Sequence, residues 1–364
     1  MRGSESVSRR IQVYGPVLLA TLFLLSMLTA SPFFGAEQVD VSMGLRLIGS
    51  YGFSESLPEK LTGWEEKQIL RNIVSNRILR SLMGIAAGAG LAVVGAALQA
   101  ILRNPLVAPS TLGVSTAAAV GAFCTIIGMG TGLSLGPFSA IQVGAYLAAL
   151  VDIVVIYGIA RLAGRLSMVT LLLAGITVNL ICGALILLMR HQTDNPYDLH
   201  VLDHWLMGSL NSLYSWHDLW GILPLLLPGL AVILLLSHQF NPMALGDEYA
   251  AGRGVSVRRV QLLVFVFGSL AVAGIVSVVG PIGFVGLIVP HMVRRLVQVD
   301  QRVVMITSLL SGGGFLLMCD CLVRFKLIGG VELPVGVLTA LMGGPIFLYV
   351  LIHSQRGERY NLGG

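Results

Sequence analysis

NRILRSLMGIAAGAGLAVVGAALQAILRNPLVAP, residues 76–109, is the stretch that decides the fold class. From Ile78 to Leu102 it is apolar over the roughly 20 residues that a helix needs to cross the hydrocarbon core of a bilayer. Gly84, Gly88 and Gly95 lie near one face of that helix. Such a small-residue stripe lets another helix approach closely where no hydrophobic effect drives association, and it reads as packing inside one subunit. Asn104-Pro105 closes the run, because proline stops a helix and asparagine can close a turn.

Working outward, the rest of the chain has the same character. With 55% hydrophobic and 11% charged residues and a mean hydropathy of +0.84, ordinary water-soluble packing is excluded, and 44 glycines fit tightly packed membrane helices. About ten candidate spans appear: Tyr14–Phe34, Ile78–Leu102, Ala108–Met129, Phe138–Ala160, Met168–Met189, Leu219–Ser237, Val260–Val278, Pro281–Val297, Val303–Val323 and Leu333–Ile352. The eighth is short and interrupted by Gly and Pro, either a tilted span or a broken helix supported by its neighbours. The expected fold is an all-α polytopic membrane protein, one transmembrane domain over residues 1–364. The first apolar run, with Leu28-Thr29-Ala30-Ser31 at its end, imitates a signal peptide, but the spans that follow make it a retained helix.

An even number of spans puts both termini on one side. With the N-terminus (residues 1–13) inside, the inner segments hold Arg9, Arg10, Arg103, Arg161, Arg165, Arg253, Arg258, Arg259, Arg294, Arg295 and Arg302, and the short outer loops only Arg190, Arg324 and Lys326, as the positive-inside rule requires. The long outer loop, residues 35–76, mixes both signs. The net charge of +5 is therefore a topology signal rather than a nucleic-acid surface. Cys124, Cys182, Cys319 and Cys321 form no CxxC pair and read as packing.

Five patterned stretches follow one another: Leu102-Arg103-Asn104-Pro105-Leu106-Val107-Ala108-Pro109, Leu171-Leu172-Leu173-Ala174-Gly175, Trp205-Leu206-Met207-Gly208-Ser209-Leu210, Gly280-Pro281-Ile282-Gly283-Phe284-Val285-Gly286-Leu287-Ile288-Val289-Pro290-His291, and Glu332-Leu333-Pro334-Val335-Gly336-Val337 with Gly344-Pro345. In this order, and over nearly the whole chain from Arg77, the sequence resembles the FecCD-type permeases, which import iron-siderophores, haem and cobalamin. The resemblance implies a BtuC-like permease bundle in the cell inner membrane. It implies a homodimer with its pathway on the two-fold axis, two ATPase subunits and an external substrate-binding protein. Iron-siderophore complexes are the expected cargo, with haem or cobalamin as alternatives. ATP and Mg belong to the ATPase partner and no cofactor is expected in this chain, which has no Gly-Lys dipeptide and so no P-loop.

The same resemblance assigns sites. The Asn104 loop and the loop around Ser167 imply an inner gate of Asn104, Leu106, Ser167 and Met168, although turn roles alone would also explain these residues. Residues 241–258 carry a short helix with Asn241 as N-cap, Pro242 in the first position, and Asp247 and Glu248 before a Gly-rich stop. It is either a solvated connector or, by resemblance, the helix that meets the ATPase through Leu245, Gly246, Asp247, Glu248, Arg253 and Gly254. Arg77, Arg80 and Arg324 either snorkel to the interface or, by resemblance, dock the binding protein, where charge pairs steer and fix register.

Arg190 and His191 end the fifth span and are candidates for the outer pathway. His200 and His204 stand i, i+4, a metal-binding spacing, but no third ligand is evident and no metal is expected. Asp152 reads as the one acid well inside an apolar run, satisfied by a hydrogen bond to a neighbouring helix. It is also the only support for a secondary transporter. Gly132-Leu133-Ser134-Leu135-Gly136 fits G-x-S-x-G, but a nucleophile elbow needs a strand-to-helix turn in an α/β sheet, so a membrane enzyme is the weakest reading.

Overall fold

The computed structural model describes residues 2–35, 64–130, 133–135, 138–162, 168–211, 216–297, 300–325 and 332–361. Ser167, Lys326 and most of the long outer loop lie outside the described residues. Within them the chain forms α1 (Arg2–Ala30), α2 (Trp64–Leu102), α3 (Val114–Met129), α4 (Ala140–Leu162), α5 (Met168–His191), α6 (Pro196–Leu206), α7 (Trp216–Ala244), α8 (Asp247–Gly252), α9 (Val257–Val279), α10 (Val285–Leu296), α11 (Gln301–Val323) and α12 (Val335–Asn361).

Among the described residues seven helices are long and apolar enough to cross a membrane, and α3 and the apolar part of α12 are shorter. With α10, of 12 residues, they correspond one for one to the ten expected spans. The third span begins later than expected, because Pro109–Leu112 form a 3-10 turn and Gly113 takes φ +88 before α3 starts. For the eighth, the broken-helix alternative holds: Gly280 and Phe284 have left-handed φ of +73 and +67, and helix begins only at Val285. The all-α expectation meets one small exception, an antiparallel pair of two-residue strands, β1 (Ser134–Leu135) and β2 (Phe138–Ser139). Ser134 of the G-x-S-x-G pattern therefore lies in a hairpin, with Gly132 and Gly136 outside the described residues.

The opening stretch builds the hub. Alanine and leucine, strong helix formers, fill α2, whose Met83, Ala92, Val93, Ala96 and Ala97 are wholly buried. Around it pack α7, α9, α10 and α11. The glycine stripe makes this possible: a Cβ on Gly88 would run into the Gly312 carbonyl of α11, and one on Gly95 into the Gly286 carbonyl of α10. Both contacts are within the subunit, as the stripe predicts, and neither obstacle is a side chain that could swing away.

Candidate functional site

Polar residues gather at the two ends of α2. At the Arg103 end the starting point is Pro290, inside α10. Having no N–H, it deprives the carbonyl four residues earlier, Gly286, of its helical donor. Gln99 of α2 takes that place: its Nε2 lies 3.3 Å from the Gly286 carbonyl oxygen, 3.3 Å from that of Leu287 and 3.2 Å from that of Val107. Its Oε1 accepts from Arg294, whose Nη2 donates to the Ala96 carbonyl at 2.8 Å. Gln99 thereby ties the turn after α2 to the broken helix, as membrane proteins must wherever backbone groups are freed. No role attaches to Gln99 in the sequence reading, although an amide inside an apolar run is a signal of this kind.

The turn itself is closed by Asn104. Its Oδ1 accepts from the Leu106 N–H at 2.9 Å and its carbonyl from the Val107 N–H at 3.4 Å. Leu106 is left 44% exposed, an apolar side chain at the rim of the bundle. Of the other gate candidates, Met168 opens α5 and Ser167 lies outside the described residues.

The short helix at 241–258 needs correction. Asn241 and Pro242 are not its N-cap and first residue; they belong to the last turn of α7, which runs to Ala244, and α8 covers only Asp247–Gly252. The Asn241 side chain is spent elsewhere. Its Nδ2 donates to Asp300 at 3.1 Å and its Oδ1 accepts from the Gln301 N–H at 2.9 Å, so it caps α11 instead. Gly246, at φ +132, forms the corner between α7 and α8, and Gly254, at φ +82, forms the one after it. Asp247 and Glu248 occupy the first turn of α8, where they complement the helix dipole. Leu245 and Tyr249 are exposed, and Arg253 stacks over the Tyr249 ring, its Nη2 donating to the phenol at 2.9 Å. From α2, Arg103 Nη2 reaches Asp247 Oδ1 at 3.0 Å.

At the Arg80 end an ion cluster is buried. Asp320 of α11, with no exposed surface, accepts from Arg80 through Nε at 2.9 Å and Nη2 at 2.6 Å, and from Arg324 one turn on. Arg80 Nη1 also pairs with Glu332 at 2.6 Å and donates to Asn211 at 3.0 Å. Arg324 donates to the Ser31 carbonyl at 3.0 Å, and Arg77 to the Pro32 carbonyl at 3.1 Å. Two guanidiniums face two carboxylates, so the charges balance where burying an unpaired one would be costly. Arg80 and Arg324 are thus held inside the subunit by their carboxylate partners, and Arg77 is partly buried. Asp320 falls within the expected span Val303–Val323, so Asp152 is not the one acid in an apolar run. Its i, i+4 spacing from Arg324 is the signal that reveals it.

Asp152, on α4, is 3% exposed, and the expected hydrogen bond is not made: neither carboxylate oxygen has a partner among the described residues. Arg190 grips Asp203 of α6 with its two terminal guanidinium nitrogens, Nη1 at 2.6 Å and Nη2 at 3.0 Å, and His191 stays exposed beside it. His200 and His204 share α6, and no group of three or more potential metal ligands occurs among the described residues.

Comparison with known proteins covers this whole architecture. Residues 18–353 match the model of the FecCD transport family. The cobalamin import system permease protein BtuC of Halobacterium salinarum is 39% identical over 275 residues, 76% of this chain and 72% of that protein. The hemin transport system permease protein HmuU of Yersinia pestis is 36% identical over 286 residues, 78% of this chain and 83% of that protein. A solved structure, described as an inward-facing conformation of a transporter of metal-chelate ABC type, superposes with a TM-score of 0.76 at 28% identity, covering 93% of this chain and 99% of that one.

Proposed function

The chain belongs to the FecCD transport family, multi-pass membrane permease subunits of ABC importers, and from that premise we propose that it forms the import pathway for a metal chelate of the tetrapyrrole class, cobalamin or haem. The observation that carries this is that relatives whose names state cobalamin or hemin as cargo match over three quarters of this chain. Iron-siderophores, first on the sequence reading, are the competing cargo.

The proposed machine is a homodimer in the cell inner membrane with two ATPase subunits that bind all the nucleotide and an external substrate-binding protein. Both termini and the Arg103 end face the cytoplasm. The charge distribution supports this orientation. Arg253, Arg258, Arg259, Arg294, Arg295 and Arg302 lie toward the Arg103 end, whereas at the opposite end Arg80, Arg324 and Arg190 are each paired with a carboxylate.

In this arrangement α8, with Leu245 to Gly254, meets the ATPase, and Asn104, Leu106, Ser167 and Met168 narrow the inner mouth. Arg190 and His191 stand by the outer vestibule. Arg77, Arg80 and Arg324 build the rim on which the binding protein docks; Arg80 and Arg324, paired with Asp320, hold its shape.

Cells importing through this permease and its own binding protein are offered labelled cobalamin, haem and a ferric siderophore. Cobalamin or haem accumulates, and excess siderophore does not compete. Accumulation of the siderophore alone would replace the proposed cargo.

A further inference from the structure

The turn at 103–109 is held from two sides. Behind it, the buried Gln99 amide fastens the Val107 carbonyl to α10, with Arg294 bracing the amide. In front, the charged contact among the described residues is Arg103 with Asp247, both half exposed, at 3.0 Å. Arg103 is the residue immediately before Asn104 and takes φ +49, a left-handed conformation that Phe284 alone shares among the described non-glycine residues. Bulky residues adopt it only where the surroundings impose it. Its guanidinium crosses from the end of α2 to the Gly246 corner, 3.8 Å from where a Cβ on Gly246 would stand. Asp247 already suits the first turn of α8 by its charge, so the pair is not needed to form that helix.

We infer that Arg103 and Asp247 are positioning residues, a strut that carries displacement of α8 into the Asn104–Leu106 turn. The inference rests on the reading of α8 as the ATPase-facing helix and of the turn as part of the inner gate. A half-exposed pair contributes little to stability, so its removal leaves the fold in place. What it does is bias one segment by the position of the other, as coupling between two states requires.

The test needs no cargo. In the permease–ATPase complex carrying Cys124→Ser and Leu106→Cys, a water-soluble maleimide reports exposure of position 106 with and without ATP and vanadate. The parent complex shows an ATP-dependent change in labelling rate. Arg103→Gln and Asp247→Asn each shrink that change, by about two- to fivefold for a pair of this exposure, while Arg103→Gln, outside the segment that meets the ATPase, still co-purifies with it. Arg103→Lys keeps it. Arg103→Asp combined with Asp247→Arg restores it at least in part, since aspartate tolerates the left-handed region. Full ATP response in both single variants, or a swap that restores nothing, overturns the strut and leaves α8 as the coupling helix. Absence of any ATP response in the parent overturns the reading of α8 and the gate, and the strut with it.

Discussion

Asp320→Ala lowers the stability of the purified permease by about 3–5 kcal/mol, the range for breaking a buried ion pair by removal of one partner. The cause is what remains: among the described residues Arg80 keeps Glu332 and Asn211, and Arg324 keeps the Ser31 and Ser81 contacts. A guanidinium left without its counter-charge in a dry site is a larger penalty than the pair's own attraction. Asp203→Ala is the internal control. It removes an equally short bidentate bridge to Arg190, but one 32–46% exposed, where the expected cost is about 0–1 kcal/mol. Thermal unfolding in detergent reads both. Equal small shifts would mean that the Asp320 cluster is hydrated and adds little to the fold.

Gly246→Pro is the second large effect, and it acts on function rather than folding. Gly246 holds φ +132, whereas proline is confined near −65, and its N–H donates to the Met243 carbonyl at 3.2 Å, a bond proline cannot make. Forcing the corner costs about 1–3 kcal/mol locally, the range for strained backbone, and turns α8 away from its place beneath α7. Membrane insertion is decided by apolar length and stays normal. The expected outcome is wild-type membrane levels, a weakened or lost ATPase complex and no uptake. Import at the wild-type rate would return this segment to an ordinary connector.

The seven long spans were legible because bilayer thickness imposes a length on a crossing helix, and residues such as Ile78 to Leu102 declare it without tertiary information. Even the break before α10 was partly visible in Gly280-Pro281 and Gly283. What could not be read was pairing at a distance. Asn241-Pro242 carries the local signature of a helix start, and only Asp300 and Gln301, some 60 residues away, show that its amide caps another helix. Arg80 and Arg324 look alike to any surface rule until Asp320 is placed between them. Gln99 stands out in sequence only as an amide inside an apolar run; the carbonyl it serves is freed by Pro290, 191 positions later in the chain. Sequence supplies each residue's chemistry and its nearest neighbours. The sites at both ends of α2 are made by helices that meet only in the folded bundle.

The most direct measurement of the central claim is uptake into liposomes reconstituted with this chain, its ATPase subunits and its binding protein. Accumulation of cobalamin or haem is expected to require all three components and internal ATP hydrolysis, and to be unaffected by an uncoupler. Uptake by the chain alone, driven by an ion gradient and abolished by the uncoupler, would contradict it and point to Asp152 as the site of coupling.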